Sequence, residues 1–489
     1  MTKRTIRPLA LTAALGLVGT FGPGLLRGDT PPPAPAPAKA ETPAAPIKFT
    51  SEVVATRTAV TPKPLTDSVK QGLTYLVKNQ QEDGGWNQGG GWRTGINQGG
   101  RVEGKQVEDP SDMGNTCIAL LALIRAGNTP TDGEYKALVK KGLQFVFARV
   151  EKSKAEDLYV TDVRNTQLQS KIGPFIDTFL ANLVLAELKG RAGDDDKRLM
   201  ACLEKTMNKI VKNQTKDGQF AGNGGWAPVL SVSVANKGVA RAQQNGVQVD
   251  REYFARAAEQ SKNAVAGTPA PSTLTVAEPG KAVTTPATVV DSVATGGRIG
   301  GPAPGRGAYA GGAGDAGVSL YRIAQGAGNS QDVVNSLKID ADKAKEILRD
   351  AKASPETRQR AEKTVQQFKK ASDDNIKIQS DLSANVRNEQ FVAGFGSNGG
   401  EEFLSFMNIS ETLVLKGGKE WDEWDGKMRK GMEKAQDKDG SWSGHHCITG
   451  KTFCTSGALL VMLSDRTPFP VDMLEKKNEP LPSPGSEKK

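Results

Sequence analysis

The chain has 489 residues, 64 Lys+Arg against 55 Asp+Glu, a formal charge of +9 and 37% hydrophobic residues. Its only histidines are the adjacent His445 and His446, which excludes a three-histidine metal site and any mechanism that needs separated imidazoles. Aromatic residues amount to 6%, a poor lining for a cavity that must stabilise carbocations, and so mild a charge permits an anionic ligand without demanding one.

At the N-terminus, Lys3, Arg4 and Arg7 precede an uncharged run from Pro8 to Leu26. A basic start followed by an apolar stretch predicts a signal peptide over residues 1–29, and Gly16, Gly19, Gly22 and Pro23 make it a poor permanent span. A Pro/Ala-rich linker is expected over residues 30–62. The expected protein is therefore exported, periplasmic or secreted, with no stable membrane span after signal cleavage and no nucleic acid as partner. In that compartment its four cysteines could oxidise.

From there hydrophobic periodicity alternates between two kinds of helix. Charged, amphipathic segments are expected at 65–80, 133–151, 194–213, 250–263, 332–371 and 419–435. Less charged segments, many rich in small residues, are expected at 112–126, 174–189, 226–243, 314–325, 401–416 and 451–464. Six of each in strict order predict an all-α fold, an α6/α6 toroid with six outer and six inner helices, built from residues 63–263 and 314–465. Residues 264–313 are too rich in Gly, Pro, Ala and Thr to hold a core and are expected as a flexible insert. Residues 332–385 are expected as a charged helical protrusion with a restart at Ser354-Pro355-Glu356, and 466–489 as a polar tail.

Three helix junctions repeat one pattern: NQQEDGGW at 79–86, NQTKDG at 213–218 followed by GNGGW at 222–226, and QDKDGSW at 436–442. The expected turn residues are Gln80, Asp83, Gly84, Gly85 and Trp86; Gln214, Asp217, Gly218 and Trp226; and Gln436, Asp439, Gly440 and Trp442. Gln ends the helix and offers its amide to orphan carbonyls, Asp-Gly reverses the chain, and Trp packs over the turn. Such turns, joining outer to inner helices, resemble the prenyltransferase/squalene-cyclase repeat superfamily over roughly residues 65–465. The resemblance implies an α/α toroid and structural roles for the turn residues.

The activities of those relatives do not carry over. The only counterpart of a cyclase acid motif is Asp194-Asp195-Asp196, at the start of an outer helix. No Asp-x-Cys precedes the histidines, as the zinc set of protein prenyltransferases requires, and the Gly-Cys-Gly-Glu-Gln of thioester domains is absent.

Inner helices that all point one way gather their positive dipole ends at one mouth. Asp112, Asp177, Glu401 and Glu402 stand at such helix starts and are candidate ligand-binding residues, with helix capping as the alternative. The densest constellation is Gly444 to Cys454. His445, His446 and Cys447 are candidate catalytic residues, and His446, Cys447 and Cys454 a candidate zinc set, with a disulfide or a packed turn as alternatives. Cys117 and Cys202 read as small core residues.

The leading expectation is a toroid that binds a small-molecule, glycan or protein partner at its central cavity, without the cyclase or prenyltransferase activity of relatives. One alternative is a toroid hydrolase, lyase or transferase centred on the 445–447 segment, with or without a metal. A structural envelope protein is another.

Overall fold

The computed structural model describes residues 47, 49, 53–92, 101–104, 107–266, 318–395 and 398–475. All belong to the second of two units, Ala44–Lys489. The expected signal peptide and nearly all of the 264–313 insert lie outside the described residues.

Along the chain come α1 (Asp67–Lys78), α2 (Met113–Arg125), α3 (Lys136–Lys152), the short α4 (Gln167–Ile172), α5 (Ile176–Leu188), α6 (Asp196–Asn213), α7 (Val229–Gln244) and α8 (Arg251–Ala266). Then follow α9 (Ser319–Arg349), α10 (Pro355–Asn385), α11 (Glu389–Val392), α12 (Gly400–Lys416), α13 (Gly418–Ala435), α14 (Lys451–Met462) and α15 (Val471–Glu475). The described residues are mostly helical with few, short strands, as the all-α expectation requires. Among them, no helix is long and apolar enough to cross a membrane.

Two burial patterns separate the long helices. Every residue of α2, α5 and α7 is buried, and in α12 and α14 only Lys416 and Lys451 are not. A helix apolar or small all round belongs in a core, whereas one with a single stripe lies against it. The stripe is seen in α1, where Val69, Gly72, Leu73 and Leu76 are buried, and again in α6, where Leu199, Cys202, Leu203, Met207 and Ile210 are. With α9, whose residues 320–330 are all buried, the buried helices follow one another: α2 packs on α5, α5 on α7, α7 on α9, α9 on α12, α12 on α14, and α14 on α2. The amphipathic ones lie against them: α3 on α2, α6 on α5, α8 and α10 on α9, α13 on α12, and α1 on α14.

Residues 319–349 form one unbroken helix, so the expected break between 325 and 332 is absent. Gly326 and Gly328 lie inside it because neighbours approach there: a Cβ on Gly326 would stand 2.4 Å from Val265 Cγ2. The restart occurs as read from the sequence, with Ser354 Oγ accepting the Thr357 N–H at 3.2 Å and Pro355 opening α10. The expected protrusion is not solvated all round. α10 buries Ala361, Ala371, Ile378 and Leu382 along a stripe, and packs on α9 and α8.

The chain ends of the described region also join the fold. Strand β1 (Thr56–Thr58) pairs antiparallel with a strand at Pro468–Pro470, Arg57 opposite Phe469. A β2 (Gly91–Trp92) and β3 (Arg101–Val102) hairpin lies between them in sequence, so the C-terminal strand is β4. The folded region thus reaches into the expected linker and the expected tail. A pairing between residues so far apart leaves no local signal.

The turns show what the Gln–Asp–Gly–aromatic pattern does. Gln80 Nε2 donates to Gly84 O at 2.8 Å within its turn and to Leu138 O at 2.9 Å near the start of α3. Gln436 Nε2 repeats this with Gly440 O and with Ser68 O of α1, both at 2.9 Å. Gln214 Nε2 reaches Tyr253 O of α8 at 3.4 Å. Each glutamine therefore ties one amphipathic helix to the next, and the last turn ties α13 back to α1. Trp86 Nε1 donates to Leu76 O at 2.7 Å and Trp442 Nε1 to Met432 O at 2.8 Å, ten residues back in both cases.

The glycines are required by backbone shape and closeness. Gly84, Gly218 and Gly440 have φ of 90°, 78° and 86°, and a Cβ on them would meet the carbonyls of Lys141, Arg256 and Gln71 at 2.5, 2.6 and 2.7 Å. Trp226 departs from the expected role. In the second turn Phe220 is the buried aromatic, bridged to Gln214, and Trp226 stands six residues further on, partly exposed.

Towards the C-terminal ends of several buried helices lies an ionic network. Arg125 of α2 forks onto Glu187 of α5, Nε to Oε2 at 2.8 Å, and lies 3.0 Å from Glu411 Oε1 of α12. Lys237 of α7 sits 2.7 Å from Glu411 Oε2 and 3.0 Å from Asp332 Oδ2 of α9. Arg241 of α7 is 3.5 Å from Glu187 and also donates to the Pro468 carbonyl of β4. All six side chains are buried, three cations against three carboxylates.

Candidate functional site

The sequence Asn398-Gly399-Gly400-Glu401-Glu402 opens α12, and its two glycines let a neighbouring loop settle on the helix start. A Cβ on Gly399 would stand 2.8 Å from His446 Cε1, and one on Gly400 2.6 Å from Ile448 Cγ2. Backbone bonds fix the approach: Gly400 N–H to Ile448 O at 2.9 Å, and His445 N–H to Asn398 O at 2.6 Å. Cys447 is held at φ 50°, in the left-handed region that a side chain makes costly by about 1–2 kcal/mol. That twist sets its thiol beside Glu401. One ligand atom each from Glu401, His446 and Cys447 all lie within 4.8 Å of one another.

The two glutamates have different surroundings. Glu402 Oε1 accepts the Tyr321 hydroxyl at 2.6 Å and the Phe395 N–H at 3.1 Å, while Oε2 accepts the Gly399 N–H at 3.0 Å and lies 3.3 Å from His446 Nε2. Glu401 Oε2 accepts the Ile448 N–H at 3.2 Å, but its fully buried Oε1 has no hydrogen-bond partner. Burial, with the Glu402 charge adding to it, lifts Glu401 to about 7. Burial and the Glu401 charge likewise push the Cys447 thiol up. A thiol so placed is a poor nucleophile by itself, which counts against a bare Cys–His pair. A bound cation would reverse this, because it replaces protons on its ligands.

Beside the trio stands an aromatic wall. The Phe395 ring is 5.0 Å from His446 and 5.8 Å from Trp226, and 43% of Phe395 is exposed. Lys171 Nζ lies 5.9 Å from the Trp226 ring centre. Tyr321, Phe395 and Lys171 were not singled out from the sequence. The Gly-Gly before Glu-Glu was the available local signal, since it marks a helix start made for close approach.

Other expected site residues fall elsewhere. The His445 side chain is exposed. Cys454 lies in the first turn of α14, buried, with its thiol directed at Ile448 O at 3.4 Å, so Glu401 takes the place expected for it. All four cysteines are free thiols.

Asp112 and Asp177, at the starts of α2 and α5, form a second buried pair. Asp112 Oδ1 accepts the Asn115 N–H at 2.9 Å, the capping role, and Asp177 Oδ2 accepts Gln169 Nε2 at 2.7 Å. Gly114 lies between them: a Cβ there would meet Asp177 Oδ1 at 2.8 Å and Asp112 Oδ1 at 3.7 Å. The Gly114 N–H faces both carboxyls and lowers both, yet Asp177 Oδ1 makes no hydrogen bond. Helix α4 spans the two clusters, since Gln169 holds Asp177 while Gln167 Oε1 accepts the Thr449 N–H at 3.0 Å.

This pair sets a pH dependence. Burial raises Asp112 from 3.8 to about 6, and burial with the Asp112 charge raises Asp177 from 3.8 to about 7. Groups raised on folding stabilise below their unfolded pKa, and that contribution is lost as pH rises through the folded values. Unfolding free energy should therefore fall between pH 5 and pH 8, by on the order of 2 kcal/mol from Asp177 alone. Denaturant titrations of the protein and of Asp177→Asn at both pH values check this. An equal dependence in the variant would remove Asp177 as the cause.

Compared with known proteins, the chain matches no family model, no curated protein and no solved structure.

Proposed function

We propose that this chain is an exported α/α toroid whose mouth binds a small-molecule ligand at a single divalent metal ion held by Glu401, His446 and Cys447. The observation that carries the reading is the grouping of Glu401, His446 and Cys447, one ligand atom of each within 4.8 Å of the others, with Glu401 Oε1 buried and unpartnered. An orphaned buried carboxylate oxygen is costly unless a proton or a cation meets it. A sulfur, a nitrogen and an oxygen donor suit zinc, whose reactive sites keep three protein ligands and one open position. When bound there, the ion supplies Lewis-acid polarisation of whatever occupies that fourth position.

Two further observations support the toroid. The buried helices follow one another as neighbours from α2 round to α14 and back to α2. The Gln–carbonyl ties likewise run from α13 to α1. In the superfamily resembled by the turns, that arrangement is an inner and an outer ring. The ligand belongs at the mouth rather than in the central cavity, because Arg125, Lys237 and Glu411 bridge helices that are not neighbours in that order. A separate cleft of about 980 Å³ opens beside α7, α9 and α10. On its wall Lys338 pairs with Asp342 at 2.7 Å, and among the described residues Glu401, His446 and Cys447 are the one group of such donors close enough to share an ion.

The test is the metal content of untagged protein purified without chelator. Near-stoichiometric zinc is expected, lost in Cys447→Ala and in Glu401→Gln and retained in Cys454→Ala. Absence of metal from the unsubstituted protein, or its retention in Cys447→Ala, would overturn the reading.

A further inference from the structure

We propose that Glu402 is the positioning residue of this centre: it holds the His446 ring as the Nε2–H tautomer, so that Nδ1 is the atom presented to the metal. The use of that nitrogen rests on the metal reading above, whereas the 3.3 Å approach of His446 Nε2 to the Glu402 carboxylate stands in the metal-free protein.

Glu402 sits in the first turn of α12 and is anchored there by the helix start itself. Its Oε2 accepts the Gly399 N–H at 3.0 Å, which closes the helix N-terminus in the manner of a capping box. Its Oε1 accepts from Tyr321 at 2.6 Å, in the first turn of α9, and from the Phe395 N–H at 3.1 Å. Three donors, one from α9 and two from the segment between α11 and α12, thus fix the carboxylate before His446 is considered. A carboxylate placed this way offers only acceptor capacity, so the imidazole nitrogen 3.3 Å from Oε2 must be the one that carries hydrogen. In a neutral imidazole the other nitrogen then holds the lone pair, and only a lone pair binds a metal.

Glu401, one residue earlier, is turned about 100° round the helix and belongs to the trio. The two consecutive glutamates therefore divide the work, one holding the ion and the other orienting a ligand of it. Outer carboxylates of this kind change metal affinity by about 10–100-fold when removed.

With only two histidines in the chain, the experiment is simple to read. Protein labelled with nitrogen-15 in the histidine rings gives two rings, and a His445→Gln variant identifies that of His446. In metal-free protein at about pH 8, above the ordinary imidazole pKa, protonated Nε2 and unprotonated Nδ1 are expected. Cadmium-113 loading should then show coupling at Nδ1. Glu402→Gln should weaken the tautomer preference and lower zinc affinity by about 10–100-fold. An Nδ1–H tautomer in the metal-free protein, coordination through Nε2, or a Glu402→Gln variant with unchanged tautomer and affinity would each overturn the proposal. The Nε2–H tautomer without any zinc binding would leave Glu402 as the positioning residue and remove the metal reading alone.

Discussion

Replacing Lys237 by Met should destabilise the protein by about 3–5 kcal/mol, because it strands the buried Asp332 carboxylate and takes one of two close cations from Glu411. Lys237 lies 3.0 Å from Asp332 and 2.7 Å from Glu411, and none of the three is more than 8% exposed. Methionine matches the lysine stem in length, so packing is nearly kept and the loss reports charge. Glu411 retains Arg125 at 3.0 Å, but Asp332 retains no comparable partner at ion-pair distance among the described residues. Asp332 is already the strained member, since burial raises its pKa against the pull of Lys237. Adding Asp332→Leu to Lys237→Met should therefore recover part of the loss. Denaturant unfolding of the two variants decides it; a single-variant loss under about 1 kcal/mol would mean water reaches the pair.

Acid acts on the same network from the other side. Burial alone would raise Glu411, yet Lys237, Arg125 and Arg241 together draw it down from 4.5 to about 2. A carboxyl depressed on folding stabilises above its ordinary pKa and loses that contribution as pH falls through the folded value. The loss falls below pH 4.5, whereas the Asp112 and Asp177 contribution is lost as pH rises from the ordinary value of 3.8 through about 6 and about 7. Stability should therefore peak in mildly acidic solution.

The alternation of helices was legible because composition differs between a helix buried all round and one buried on a stripe. Residues such as Ala119, Ala181, Ser233 and Ser456 marked the first kind, and the charged face of α6 the second. The turns were legible from Gln and Asp-Gly, whose requirements are local. Their third aromatic was not, because Trp226, a larger ring after its own Gly-Gly, follows Phe220 by six residues. Seen in register, Gln80, Gln214 and Gln436 are each followed six residues on by Trp86, Phe220 and Trp442.

The site was half legible. Glu401, Glu402, His446, Cys447, Asp112 and Asp177 were all singled out, but not their grouping into a trio with its supporting carboxylate and a separate aspartate pair. Grouping depends on how close α12 comes to the 445–448 loop, which Gly399 and Gly400 decide. Cys454 failed as a ligand for a local reason, since the turn of α14 that holds it aims its thiol at Ile448.

Trp442→Ala should cost about 3–5 kcal/mol, the range for a fully buried aromatic truncated to Ala. Trp442 is 1% exposed, its indole N–H caps the Met432 carbonyl, and its ring lies where a Cβ on Gly72 would come within 2.8 Å. Gly142 stands in the same relation to Trp86, at 3.0 Å. Both glycines lie four residues after the carbonyl that the turn glutamine holds, Ser68 for Gln436 and Leu138 for Gln80. In the second turn the corresponding carbonyl is that of Tyr253, and four residues on stands Ala257. The chain thus sets Gly against Trp in two turns, and has Ala257 at the corresponding position of the turn whose aromatic is Phe220.

That pairing is a volume rule that can be tested. Gly72→Ala alone should destabilise by about 1–3 kcal/mol through overpacking, even though alanine favours the helix. Trp442→Phe alone should also destabilise, through lost area and the lost indole bond. Combined, they give the residue types that stand at the corresponding positions of the second turn, so their joint cost should be smaller than the sum by at least about 0.5 kcal/mol. Strict additivity in that cycle would show that ring and glycine do not meet. The spacing of successive amphipathic helices would then be set by the glutamine–carbonyl bonds alone, without the packing of Trp against Gly.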